Sequence, residues 1–147
     1  MFFLNYINIS CFYIKIVNYN LPQSPWLEKS ILPVLERNCN LTVLQLTNCF
    51  LSLDDLTSLT KFLARNKTLA TLNISRTNIE SEDAVKALAK TLKKHPALRR
   101  VSLAYCSLAG GHDVLDKILT ACKNCESLEI GHENFESESV AAVARFL

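Results

Sequence analysis

The sequence predicts an α/β solenoid, a horseshoe arc of about five stacked strand, turn and helix units with parallel strands on the concave face and helices on the convex face. Two observations carry this expectation. A strand template recurs with a period near 28 residues, and a helical spacing between the copies keeps step with it.

The template is clearest in "LTVLQLTNCFL" from Leu41, "LATLNISRTNI" from Leu69, "LRRVSLAYCSL" from Leu98 and "CESLEIGHENF" from Cys125. Each places apolar residues at the first, fourth, sixth and last positions. A fifth copy, "CFYIKIVNYNL", begins at Cys11, so the starts are separated by 30, 28, 29 and 27 residues. Apolar residues two apart face one side of a strand, so each copy has one face for a core.

Six and ten residues before each downstream start stand Leu35 and Ile31, Leu63 and Leu59, Leu92 and Leu88, and Leu119 and Leu115. A spacing of four puts each pair on one helix face. Ser24 before Pro25, Ser52 before Asp55, and Ser81 before Glu82 and Asp83 mark helix starts. Pro33 should bend or shorten the first helix, because it removes one backbone donor. Neither strand nor helix can bury its apolar side alone, so the units must stack into one domain over 1–147, with residues 1–10 as an irregular or extra edge strand.

These residues resemble a leucine-rich repeat protein, and the long period with a full helix per unit is similar to the ribonuclease-inhibitor-like subfamily. The resemblance covers residues 11–147 and implies a binding scaffold without catalytic residues. The position that the family usually gives to Asn or Cys is held by Tyr19, Cys49, Thr77, Cys106 and Glu133, so the first and last turns should be less regular. Val143 and Leu147 match the helix positions of a further unit whose strand would begin at 153, which predicts a fragment, a truncated gene model, or a domain whose last face is covered by something else.

Composition narrows the partners. With 49% apolar and 20% charged residues the chain can build a core, and a net charge of +2 lacks the concentrated basic footprint of nucleic-acid or anionic-membrane binding. The apolar opening "MFFLNYINISCFYIKIVNYNL" has no basic region before it and no small-residue cleavage site, and Asn5, Asn8, Ser10 and Lys15 interrupt it. It reads as the first repeat, and neither a secretion signal nor a membrane anchor is expected.

Candidates for chemistry have packing explanations. Cys122 and Cys125 form a C-x-x-C pair, but no second pair exists to complete a zinc site. Cys11, Cys49, Cys106 and Cys125 occupy template positions, and Cys122 closes a helix, which favours reduced thiols in cytoplasm or nucleus over a secreted disulfide framework. Four N-x-[ST] sequons, at Asn8, Asn40, Asn66 and Asn73, pull weakly the other way. His95, His112 and His132 fall in different units with no nucleophile at triad spacing, and Lys90, Lys93 and Lys94 end a helix whose dipole they complement. No cofactor and no metal is expected.

The template positions that face away from the core form columns on the concave sheet. One reads Lys15, Gln45, Asn73, Ser102, Glu129; a second reads Tyr13, Val43, Thr71, Arg100, Ser127; a third reads Asn18, Asn48, Arg76, Tyr105, His132. From them Tyr13, Lys15, Asn48, Asn73, Arg76, Arg100, Tyr105, Glu129 and His132 are the expected contacts to a protein partner, with Arg76, Arg100 and Tyr105 as anchors because Arg and Tyr are enriched at interface hot spots. The uncapped ends predict self-association as well. Alternative functions are a regulator resembling Ran GTPase-activating proteins, the sensing array of a cytosolic innate-immune receptor, and a cytoskeletal adaptor.

Overall fold

The computed structural model describes residues 13–17, 27–37, 40–109 and 111–131. Their elements follow the sequence pattern: β1 Tyr13–Val17, α1 Leu32–Arg37, β2 Val43–Thr47, α2 Leu53–Arg65, β3 Thr71–Asn73, β4 Asn78–Ile79, α3 Glu82–Lys94, β5 Arg100–Ala104, β6 Ser107–Leu108, α4 Gly111–Ala121 and β7 Ser127–Gly131. A π-helical turn, Leu27–Ile31, leads into α1. The first ten residues, Cys11, Tyr19, Cys39, Glu133 and the Ser24–Pro25 helix start lie outside the described residues.

β1, β2, β3, β5 and β7 form one parallel sheet in that order. The register joins equivalent template positions: Lys15 opposes Gln45, Gln45 opposes Asn73, Asn73 opposes Ser102, and Ser102 opposes Glu129. On the other face of the same strands Ile14, Leu44, Leu72 and Val101 are buried, as are Leu46, Ile74 and Leu103 beyond them. These residues share one core with the helix pairs Ile31 and Leu35, Leu59 and Leu63, and Leu88 and Leu92. Leu115 and Leu119 of α4 are buried against Leu128 and Ile130 of β7. The helices therefore cover one face of the sheet and leave the other open.

Three strands, β3, β5 and β7, begin the same way. The carbonyl of Thr42 accepts from the amides of Ala70 and Thr71, that of Ala70 from Arg99 and Arg100, and that of Arg99 from Glu126 and Ser127. A second, two-stranded ladder, β4 with β6, pairs Asn78 with Ser107 and Ile79 with Leu108 beyond the turn. The sequence pattern does not announce it, since two residues carry no periodicity.

Two helix starts are built as their sequences predict. The Ser52 hydroxyl accepts from the Asp55 amide at 3.1 Å, and the Asp55 carboxylate accepts from the Ser52 amide at 3.2 Å, a closed capping box. Ser81 caps α3 through the Ala84 amide at 3.3 Å. Asp55 does more than cap. It is fully buried, and its Oδ1 accepts from the Leu27 amide of the preceding unit at 2.8 Å. Pro33 sits in the first turn of a six-residue α1 just after the π-helical turn, so the first helix is both short and irregular where the missing donor falls.

The turn after each strand shows how the sequence variation is tolerated. Cys106 Sγ donates to the Ile74 carbonyl at 3.1 Å, and Cys49 Sγ reaches the Ile16 carbonyl at 3.7 Å, so both thiols bridge to the previous unit. Thr77, buried between them, has a hydroxyl with no hydrogen-bond partner. A buried, unpaired hydroxyl costs about 1–3 kcal/mol.

Two stability predictions follow from this packing. Asp55→Ala, which opens the capping box and strands the Leu27 amide, should lower the unfolding free energy by about 3 kcal/mol in urea titration. Thr77→Cys, which gives the middle unit the side chain of its neighbours, should raise it by about 1 kcal/mol.

Candidate functional site

The open face carries the first two columns in the expected register, together with Asn48, Arg76 and Tyr105 of the third, whose Asn18 and His132 lie outside the described residues. Its centre is knitted together by hydrogen bonds. The Asn73 Oδ1 accepts from the Ser75 amide at 2.9 Å and from the Ser75 hydroxyl, and the Ser75 and Ser102 hydroxyls lie 2.8 Å apart. Ser75 and Ser102 are buried. Asn73 thus spends its carbonyl oxygen on orienting Ser75, whose hydroxyl makes the contact across to Ser102 of β5.

Around that centre the face is exposed. Tyr13 on β1 donates its hydroxyl to Gln45 Oε1 at 3.0 Å, crossing from one column to the next. Lys15 and Glu129 lie exposed on the outer strands, β1 and β7, at opposite ends of one column. Arg100, at the start of β5, makes an exposed ion pair with Glu126 at 3.3 Å. Such a pair contributes about 0–1 kcal/mol, and it sets beside Arg100 a carboxylate with which a partner's anion would compete.

The third column sits where the strands end. Asn48, Arg76 and Tyr105 all have left-handed backbones, with φ of 55°, 59° and 58°. Their amides are each held by the following unit, Asn48 by the Ser75 carbonyl at 2.9 Å, Arg76 by the Ala104 carbonyl at 2.9 Å and Tyr105 by the Gly131 carbonyl. Asn enters this conformation readily, whereas Arg and Tyr pay roughly 1 kcal/mol or more for it. The Arg76 guanidinium lies 5.3 Å over the Tyr105 ring, and Tyr105 is 57% exposed. An exposed cation–π contact of this kind returns about 0.5–1 kcal/mol.

Of the expected contact residues, Tyr13, Lys15, Asn48, Asn73, Arg76, Arg100, Tyr105 and Glu129 share the open face, and His132 lies outside the described residues. Arg76 and Tyr105 touch; Arg100 stands at the other end of its strand with its own partner. Sequence reasoning missed Glu126, one place before the column residue Ser127. It also missed Phe50, 49% exposed just past the Asn48 turn. Phe50 takes the template position of Asn78 and Ser107, and that mismatch of a large apolar residue with two polar ones was the available signal.

The helix side offers less defined chemistry. A cavity of about 300 Å³ lies beside Lys67, Lys90, Lys94 and His95, and a groove of about 470 Å³ sets Lys86, Lys90 and Lys93 near Asp113 and Asp116. Burial pushes the Cys122 thiol up to about 12, and the neighbouring Cys125 adds to the shift, so Cys122 is a poor nucleophile at neutral pH. Cys106 is raised for the same first reason. Among the described residues no group of three or more His, Cys, Asp or Glu side chains could hold a metal ion, and no helix is long and apolar enough to cross a membrane.

A sheet of parallel strands with helices on one face and an exposed polar surface on the other is compatible with a leucine-rich-repeat-like fold. No family model matches the chain. It is 33% identical over 113 residues to NACHT, LRR and PYD domains-containing protein 14 from Mus musculus, an alignment covering 76% of this chain and 11% of that protein. It is 38% identical over 76 residues to NACHT, LRR and PYD domains-containing protein 4B, also from Mus musculus, covering 51% of this chain and 9% of that protein. The chain therefore spans about a tenth of the length of these relatives. In structure it is similar to leiomodin-1 actin-binding site 2, with a TM-score of 0.66, 16% identity, and coverage of 95% of this chain and 80% of that one. At that identity the likeness is one of fold.

His95, which ends α3, has a testable acid response. Burial lowers its pKa from the ordinary 6.5, Lys67 lowers it further, and the Asn66 backbone opposes both. The unfolded chain takes up a proton near pH 6.5 where the folded chain resists it, so the folded state holds fewer protons and its stability rises with pH through that range. The urea midpoint should fall as pH is lowered below about 6.5, and His95→Gln should reduce that fall.

Proposed function

We propose that the chain is a leucine-rich repeat solenoid of the ribonuclease-inhibitor-like kind, a single domain of about five repeats that binds a protein partner on its concave sheet and carries out no covalent chemistry. The observation that supports this best is the open face. Five strands in one register hold columns of side chains at fixed spacing, and the largest exposed groups on it, Tyr13, Arg76, Arg100 and Tyr105, are of the types that dominate interface hot spots. Lys15, Asn48 and Glu129 extend the contact. The helix layer is the poorer candidate, because its larger groove mixes lysines with aspartates and the cations of the smaller one lie toward helix ends.

The relatives favour one setting among the alternatives. Proteins named for NACHT, LRR and PYD domains support reading the chain as the sensing repeat array of a cytosolic innate-immune receptor ahead of a regulator resembling Ran GTPase-activating proteins. A cytoplasmic location accords with the free thiols Cys49, Cys106 and Cys122, each buried and used in packing. The likeness to leiomodin-1 supports the scaffold and supplies no partner for this chain.

Affinity capture on the immobilised chain tests the reading. Proteins retained by the wild type should drop about tenfold or more with the triple variant Arg76→Glu/Arg100→Glu/Tyr105→Ala, checked by circular dichroism to be folded. An unchanged set of retained proteins would contradict concave-face binding.

A further inference from the structure

We propose that the corner made by Asn48, Arg76 and Tyr105 recognises a protein segment carrying a carboxylate beside an apolar side chain. The inference rests on the open face being an interaction surface, and it names the chemistry of what that surface receives.

Charge separates the two arginines of this face. The open face holds two arginines in the described units. Arg100 is answered by Glu126 at 3.3 Å, whereas Arg76 is held by the Tyr105 ring at 5.3 Å. An arginine held through an aromatic ring keeps its N–H donors for a planar anion, and a carboxylate accepts two of them at once. The apolar half of the ligand is set by the same corner. Tyr105 is 57% exposed, and a ring that size, left in water, gains by covering an apolar neighbour.

The backbone supplies an independent argument. Left-handed φ at 76 and 105 is the geometry that glycine adopts without penalty, yet the chain places an arginine and a tyrosine there. Hydrogen bonds donated by their backbone amides to the Ala104 and Gly131 carbonyls hold both residues in place from the next unit. The side chains are therefore presented on a fixed backbone, which lowers the ordering cost of binding.

A nucleic-acid strand also offers anions and stacking bases, and the corner's surroundings argue against it. Glu126 and Glu129 are exposed at the β7 end of the same sheet, next to the strand that leads to Tyr105. They would repel a phosphate backbone running along the face, while a single carboxylate at Arg76 avoids them.

The test is selection of random twelve-residue peptides on the immobilised full chain, followed by fluorescence anisotropy of the enriched sequences. The expected result is enrichment of Asp or Glu next to Leu, Ile or Phe. Binding of those peptides should weaken about tenfold or more with Arg76→Gln and with Tyr105→Gly, while both variants keep the parent circular dichroism spectrum. Replacing the acidic residue of the peptide by its amide should cost as much on the wild type and little on Arg76→Gln. Enriched peptides without an acidic residue, unchanged affinity for Arg76→Gln, or displacement by a short single-stranded oligonucleotide would each overturn the proposal. Peptides that lose binding with Gln45→Lys at the centre of the face but not with Arg76→Gln would defeat this corner alone. An absence of enrichment, or binders insensitive to both substitutions, would defeat the open-face reading with it.

Discussion

The structure depends on register. A strand here can satisfy its backbone and bury its apolar side only if the next strand arrives in step, and the period of the template is what brings it there. Ile14, Leu44, Leu72 and Val101 stand side by side on the core face. A slip of one residue would turn Lys15, Gln45, Asn73 and Ser102 into the core and push the leucines into water. Single contacts lock the units further. Asp55 reaches back to the Leu27 amide, Thr68 donates to the Leu41 carbonyl at 2.9 Å, and Cys106 donates to the Ile74 carbonyl.

The same constraint makes the candidate site. Because equivalent positions stack, whatever happens at one turn is repeated beside its copies. The left-handed residues Asn48, Arg76 and Tyr105 form a line for this reason, and each amide is anchored by the next turn. Side chains from positions about 28 residues apart in the chain thereby come to share one corner. The sheet centre is closed by Asn73, Ser75 and Ser102, so a partner would meet a braced surface with its adaptable groups toward the edges and strand ends.

Columns, helix pairs and caps were legible in the sequence because each is a matter of spacing. The pairs at six and ten residues before each of the four downstream starts are buried, and Ser52 and Ser81 cap the helices they precede. What spacing could not reveal was chemistry between units. The Asp55 bond to Leu27 and the Arg100 pair with Glu126 join residues 28 and 26 apart, and no local pattern encodes either. The left-handed backbone at Arg76 and Tyr105 was hidden because those residues disfavour it; the asparagine at 48, which tolerates it, was a clue. The unpaired Thr77 hydroxyl was likewise invisible, since Thr at that turn reads as an ordinary small polar residue.

The claim on which the rest stands is that the corner is rigid before any partner arrives. Amide hydrogen exchange of the isolated chain, read residue by residue by NMR, tests it directly. If Asn48, Arg76 and Tyr105 are held by the carbonyls of Ser75, Ala104 and Gly131, their amides should exchange as slowly as those of the neighbouring strands β2, β3 and β5. Exchange at all three near the rate of an unstructured peptide, with the strands still protected, would contradict the account.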